Sequence, residues 1–176
     1  MTANGCGSFF IPFPIMMNNK KDFFDQIRNG NVKAIEETLE TNPELLESTD
    51  ERGSTPLLLS TYYGHEKVAT LLLEKGAKVD IKDSSGNTAL MGVCFKGYVG
   101  IAKLLIDAGA DVNHVNAMGA TCLIYAATFN RLDMAQLLLD HGADSATRDA
   151  RGHTALDQAK MQDFKELIAL LETHTS

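Results

Sequence analysis

Aliphatic residues recur along most of this chain in short bursts of helical period, separated by polar turns that carry glycine. In "TLLLEKGAKVD", "KLLIDAGADVN" and "QLLLDHGADSA" a leucine pair (Leu71 and Leu72, Leu104 and Leu105, Leu137 and Leu138) lies on an amphipathic stretch that ends at Gly76, Gly109 or Gly142. Each of these bursts follows a shorter one that opens with threonine and closes at Gly64, Gly97 or Asn130. Apolar positions at helical spacing, a threonine before the first of them and a glycine or asparagine after the last predict a short helix followed by a longer one. Pro56 fits the first helical position, where its missing N–H is no loss.

The bursts keep one period. Gly53, Gly86, Gly119 and Gly152 are spaced by 33 residues, and Thr55, Thr88, Thr121, Thr154 and Leu57, Leu90, Leu123, Leu156 follow the same interval. Ahead of each threonine, "DERG", "DSSG", "NAMG" and "DARG" read as tight turns in which glycine takes a positive φ. A helix pair this small cannot bury its apolar face alone. Stacked neighbours can bury it jointly, so the repeat predicts a solenoid whose stability sums over units and their interfaces.

With its turn, Gly-x-Thr-Pro-Leu, short helix, Gly, longer helix and Gly-Ala-Asp, the pattern resembles the ankyrin repeat family, closely over residues 50–159 and loosely at both ends. The resemblance implies an all-α solenoid of stacked helix-turn-helix units with hairpin-like turns, about five repeats in number. Residues 50–82, 83–115 and 116–148 are the expected internal repeats. Residues 20–49 fit a divergent N-terminal cap, with helices in "KKDFFDQIRNG" and "NVKAIEETLE" and a long connection "TNPELLEST". Residues 149–176 fit a C-terminal cap, since Asp157, Gln158 and Lys160 are polar where earlier repeats are mostly apolar or small. The family usually follows Thr-Pro-Leu with a histidine that ties neighbouring loops. Here Leu58, Met91, Ile124 and Asp157 stand instead, so an apolar joint and a lost polar tie are expected.

Members of this family usually bind another protein on a concave face made of turn tips and the exposed ends of first helices. Carried over by position, the tips include Arg52, Ser85, Met118, Ala120 and Arg151. The helix ends give Tyr62, Tyr63, Phe95, Lys96, Phe129 and Met161. Large apolar side chains at successive steps of a solenoid make a strip of the kind that marks binding sites, and aromatic residues are enriched at interfaces. The competing reading is that the rings tuck between neighbouring first helices as core.

Other chemistry is poorly supported. Cys94 beside Lys96 raises the prospect of an activated thiol, but Cys94 stands where other repeats have Thr61 and Ala127, and Cys122 where they have Pro56 and Ala89. Both read as small packing residues. His65 begins a second helix, His114 falls in a strand-like connection and His141 precedes a Gly-Ala stop, so the histidines gather no metal spacing. The glycines are turn formers and helix stops, not a phosphate loop. No catalytic residue, cofactor or metal is therefore expected. The 176 residues are 44% hydrophobic with a formal net charge of −7, and the longest basic run, Lys20-Lys21, is too short for a nucleic-acid surface. An acidic chain is also a poor match for an anionic membrane. Three cysteines without a Cys-x-x-Cys pair point to a reducing, cytoplasmic setting.

Residues 1–19 have no repeat counterpart. Their apolar run "FFIPFPIMM" is interrupted by Pro12 and Pro14, has no positive charge before it and is too short to span a bilayer. It is expected to be an extended apolar arm that docks on the solenoid or joins a second copy; Met16 and Met17 offer alternative starts that would leave the preceding residues outside the natural protein. An accessory or assembly component that self-associates through this arm is thus the alternative to a stand-alone interaction module. Deleting residues 1–15 is expected to leave urea unfolding cooperative, because every repeat lies beyond Asn19; a truncated chain that loses its unfolding transition would place the arm in the N-terminal cap.

Overall fold

The computed structural model describes residues 19–174. Among them are ten α-helices, one 3₁₀ helix and no strand. The α-helices form five successive pairs: α1 (Asn19–Asn29) with α2 (Val32–Thr41), α3 (Pro56–Tyr62) with α4 (Glu66–Glu74), α5 (Ala89–Lys96) with α6 (Val99–Asp107), α7 (Cys122–Thr128) with α8 (Leu132–Asp140), and α9 (Ala155–Met161) with α10 (Lys165–Glu172). First helices pack on first helices in the order α1, α3, α5, α7, α9, and second helices form the parallel outer row.

Local chemistry sets each boundary. Thr55, Thr88, Thr121 and Thr154 are N-caps whose side chains accept from the amides of Leu58, Met91, Ile124 and Asp157. Their side-chain oxygens satisfy one of the amides that a helix start leaves unpaired, worth about 1 kcal/mol apiece. At the other end a left-handed residue stops the first helix: Gly64, Gly97, Asn130 and Asp163 all have positive φ. Asn31 caps α2 by accepting from the amide of Ala34, whereas the later second helices have no side-chain cap at their starts. Their entry is shaped instead by packing across repeats, since a Cβ at Gly30 would strike the His65 ring, one at Gly64 the Tyr98 ring, and one at Gly97 the Arg131 guanidinium.

The core runs the length of the stack. Ile27, Leu72, Leu90, Leu105, Leu138 and Leu167 are each completely buried, one or more from every pair. Between first helices the side chains are small: Ser60, Thr61, Cys94, Ala126, Ala127 and Ala159 are buried. Each buried hydroxyl among them bonds back to its own helix, Ser60 Oγ to Leu57 O at 3.0 Å and Thr61 Oγ1 to the same carbonyl at 2.9 Å.

The turns repeat one motif. Asp50, Asp83, Asn116 and Asp149 each use Oδ1 to accept from the amides two and four residues ahead. From the second turn onward the expected loss of a polar tie between loops does not occur. The amide of Ala117 donates to Ser85 O and that of Ala150 to Met118 O, His114 Nε2 lies 2.8 Å from Gly86 O, and Asn116 Nδ2 donates to Asn87 Oδ1 at 2.8 Å. Met91 and Ile124 are buried, as an apolar joint requires, so backbone and neighbouring side chains supply the tie that a histidine would have made. Asp157 does a different job at its position, closing a capping box with Thr154.

Three further expectations are corrected. The connection after α2 holds a 3₁₀ helix, Pro43–Glu47, which buries Leu45. His114 lies in irregular chain held by that Gly86 bond, not in a strand-like segment. Ala120, expected at a turn tip, is buried. The N-terminal arm lies outside the described residues apart from Asn19, which begins α1.

Leu105→Ala is expected to lower the unfolding free energy by about 2–5 kcal/mol, the cost of a cavity in a packed core; a change under about 0.5 kcal/mol would contradict its burial. Gly109 isolates backbone strain, because its φ is +94° and an added Cβ would meet nothing within 4 Å. Gly109→Val should therefore cost about 1–2 kcal/mol, and Gly109→Asn clearly less, in the same denaturant titration.

Candidate functional site

The ends of the first helices bring the predicted aromatic row together. Phe95 and Phe129 meet edge to face with centroids 4.7 Å apart, and Tyr125 stacks on Phe129 at 6.4 Å. Tyr62 and Tyr63 make a second edge contact at 5.6 Å. Lys96 joins the two groups, its Nζ 4.2 Å from the Tyr62 centroid and 5.7 Å from that of Phe95. Cation–π contacts at exposed sites are worth about 0.5–1 kcal/mol, enough to bias the lysine toward the rings.

These rings are neither free nor buried. Phe95 is 38% exposed and Phe129 40%, while Tyr62 and Tyr63 are slightly more open. Neighbouring first helices are too closely packed to admit a ring. The side chains therefore lie across the surface and against one another.

Beneath the row is a groove. An open cavity of about 440 Å³ is lined by Leu58, Leu59, Tyr62, Tyr63, Met91, Gly92, Phe95, Tyr125 and Phe129, with Arg52 and Asn87 at its turn side. A second, of about 480 Å³, shares Arg52, Leu59 and Tyr63 with it and continues to Lys20, Lys21, Phe24 and Arg28 on α1. Arg28 bridges Asp25 at 3.0 Å and Asp50 at 2.9 Å, fixing α1 to the first turn beside this extension.

The remaining predicted residues lie apart from the row. Arg52, Ser85, Met118 and Arg151 are exposed on successive turns, and Arg52 alone of these lines the groove. Met161 is 58% exposed at the end of α9. Sequence reasoning missed Leu59, Gly92 and Tyr125, which share one register of the repeat, a helical turn ahead of the aromatic positions. Tyr125 Oη accepts from Asn116 Nδ2 at 3.0 Å, and Asn116 is itself bonded to Asn87, so the ring is tied to the turns. The 33-residue interval gave a signal for this register, but its members (leucine, glycine, tyrosine, glutamine at 158) share no property that marks it.

Cys94 and Cys122 are free thiols with no exposed surface. Burial pushes the Cys94 thiol well above its ordinary pKa, and hydrogen bonding with Cys122 adds to the effect. The two cysteines thus pack together across α5 and α7, a pairing that separate repeats in the sequence do not announce. A thiol held protonated is a poor nucleophile. Among the described residues no three His, Cys, Asp or Glu side chains converge as metal ligands, and no helix is long and apolar enough to cross a membrane.

A family model described as "Ankyrin repeats (3 copies)" matches residues 24–116 and again 92–175. The chain belongs to the ankyrin repeat family. Ankyrin repeats are generally protein–protein interaction modules and as a family generally non-enzymatic. The rings and groove described above lie on first helices of such repeats.

Asp149 sets the turn that carries Arg151, and its carboxyl is held below the ordinary carboxylate range chiefly by the amide of His153. Asp157 is lowered by the amide and hydroxyl of Thr154. A depressed folded pKa stabilises the fold fully above the unfolded value of about 3.9 and progressively less as pH falls through the lower folded one. Urea midpoints are expected to drop between about pH 5 and pH 2, and Asp157→Asn should make that drop shallower. An unchanged slope would mean that the Thr154 cap does not hold the charge.

Proposed function

We propose that this protein is a non-enzymatic interaction module that binds a partner protein on its concave face, with Tyr62, Tyr63, Phe95, Lys96 and Phe129 as anchors. Arg52, Ser85, Met118 and Arg151 on the turns and Met161 at the end of α9 supply the polar and flanking contacts. The supporting observation is the continuity of the row: Phe95 and Phe129 touch edge to face, Lys96 bridges Phe95 to Tyr62, and the rings from these three successive repeats stay about two-fifths exposed beside an open groove. Rings already held in place lose little freedom on binding, and desolvating them provides the energy. The net charge of −7 disfavours nucleic acid as the partner, and two buried free thiols suit a reducing, cytoplasmic setting.

The test pairs binding with stability. Proteins captured by the intact chain are identified by mass spectrometry, and their recovery is compared with that of Phe95→Ala/Phe129→Ala. Buried aromatic anchors at an interface can each be worth more than about 2 kcal/mol, so the double variant should lose its specific captures. Its unfolding free energy should fall by clearly less than the roughly 3–5 kcal/mol typical of one truncated core phenylalanine. Severe destabilisation would instead make the rings core and sink the binding face. Cys94→Ser serves as the control and should keep the captures.

A further inference from the structure

The α1 end of the concave face carries charge of the sign opposite to the chain as a whole. Lys20, Lys21, Arg28 and Arg52 line the cavity that continues the groove, against Asp25, Asp50 and Glu51. Arg28 is taken up by Asp25 and Asp50, at 3.0 and 2.9 Å. Asp50 is fully committed, since its other oxygen accepts from the amides of Arg52 and Ser54. Lys20, Lys21 and Arg52 are left with no carboxylate within ion-pair reach among the described residues, and Glu51 is the one lining carboxylate not already engaged. Lys96, its ammonium over Tyr62, adds a further cation along the face. On a chain of net charge −7 this is a local excess of positive charge.

Folding does not require these charges. Lys20 and Lys21 stand in the first turn of α1, where a cation opposes the helix dipole and a carboxylate would suit it. Arg52 closes its turn on Asp50 through the backbone amide, and its exposed guanidinium has no partner among the described residues. Apolar surface continues directly from the cations: Leu59 and Tyr63 line both the cavity and the groove, and Tyr63 meets Tyr62 edge to face. A small anion would satisfy only the charged end of this surface. Nucleic acid would meet a chain whose overall charge repels it. An occupant whose carboxylates lie beside large apolar side chains matches both ends, and complementary charge then aids encounter and fixes register.

We infer that the concave face takes a segment of a partner protein in which an acidic run adjoins large apolar side chains. The carboxylates meet Lys20, Lys21 and Arg52, and the apolar side chains lie over Tyr62, Phe95 and Phe129. The inference names the partner chemistry for the proposed binding face and rests on that reading.

The full chain is panned against a random peptide library displayed on phage, and a selected peptide is labelled and titrated by fluorescence anisotropy. Enriched sequences are expected to hold two or more Asp or Glu next to Leu, Ile, Phe or Trp. Lys20→Glu/Lys21→Glu and, separately, Arg52→Glu should each weaken the peptide at least about tenfold, since like charges across an interface are costly. Raising sodium chloride from about 0.05 M to about 0.5 M should weaken it severalfold. The lysine reversals should leave the thermal midpoint unchanged or raise it, because glutamate suits a helix start, so lost binding would not reflect lost folding. Lys67→Glu/Lys103→Glu, an equal change of net charge at exposed positions on the second helices, should keep the affinity within about twofold. Selected peptides without acidic enrichment would overturn the inference. So would displacement of the peptide by millimolar inorganic phosphate at constant ionic strength, because the cations would then form a small-anion site. Peptides lost by Phe95→Ala/Phe129→Ala but indifferent to the charge reversals would keep the binding face and reject its acidic occupant. Peptides lost by the reversals but kept by the phenylalanine variant would reject the aromatic face and the joined site with it, and a library that yields no specific binder would overturn both.

Discussion

The constraint on which this structure depends is the close approach of consecutive first helices. It is possible because the residues between them are small: Ser60 and Thr61, Val93 and Cys94, Ala126 and Ala127, and Ala159 are all buried. A 7- or 8-residue helix has too little surface to hold itself in water, and most of its stability must come from packing. Small residues let the inner row tighten while leucines fill the space toward the outer row. The same exclusion sends Tyr62 and Phe95, directly after Thr61 and Cys94, and Phe129, two residues after Ala127, outward, so the aromatic face is a by-product of the rule that packs the core. Cys94 shows the rule at the level of chemistry, because a thiol chosen for its size is also deprived of water and of its reactive form.

Tight stacking leaves many backbone groups near the gaps between repeats, and buried polar groups need partners. The partners come from the neighbouring unit. His65 Nε2 lies 2.8 Å from Arg28 O, Arg131 Nη2 donates to Phe95 O and Gln162 Nε2 to Thr128 O, so carbonyls at the ends of first helices are capped by the repeat that follows. At the turns, the amides of Ala117 and Ala150 reach back to the preceding loop. Residue types vary from repeat to repeat because the requirement is a donor at a place, which several side chains or a backbone amide can meet. This is why Met91 and Ile124 can stand in place of a loop-tying histidine while the turns at 83–86, 116–119 and 149–152 stay connected.

Gly92 and Tyr125 show how a surface groove can be written by exception. At positions that the repeat leaves free, one unit removes a side chain and the next supplies a large one anchored through Asn116. The result is a trough bounded by rings, joined at one end to the start of the first helix. Neither residue disturbs the repeat, since Gly92 adds no side chain and Tyr125 packs against the core while bonding to the turn residue Asn116.

The amino-acid sequence by itself determined the repeat length, the threonine caps, the left-handed stops and the leucine core, because these depend on dihedral preference and helical period within one unit of 33 residues. It also placed Tyr62, Phe95 and Phe129 in one row, because a spacing within one residue of the repeat becomes adjacency in space in a solenoid. It did not show the contact of Cys94 with Cys122, the loop ties through His114 and Asn116, the 3₁₀ turn at Pro43–Glu47, or the groove over Gly92. Those were decided by tertiary structure, since each depends on how far one unit is shifted and rotated against the next, and that geometry follows from the packing of all the side chains between them.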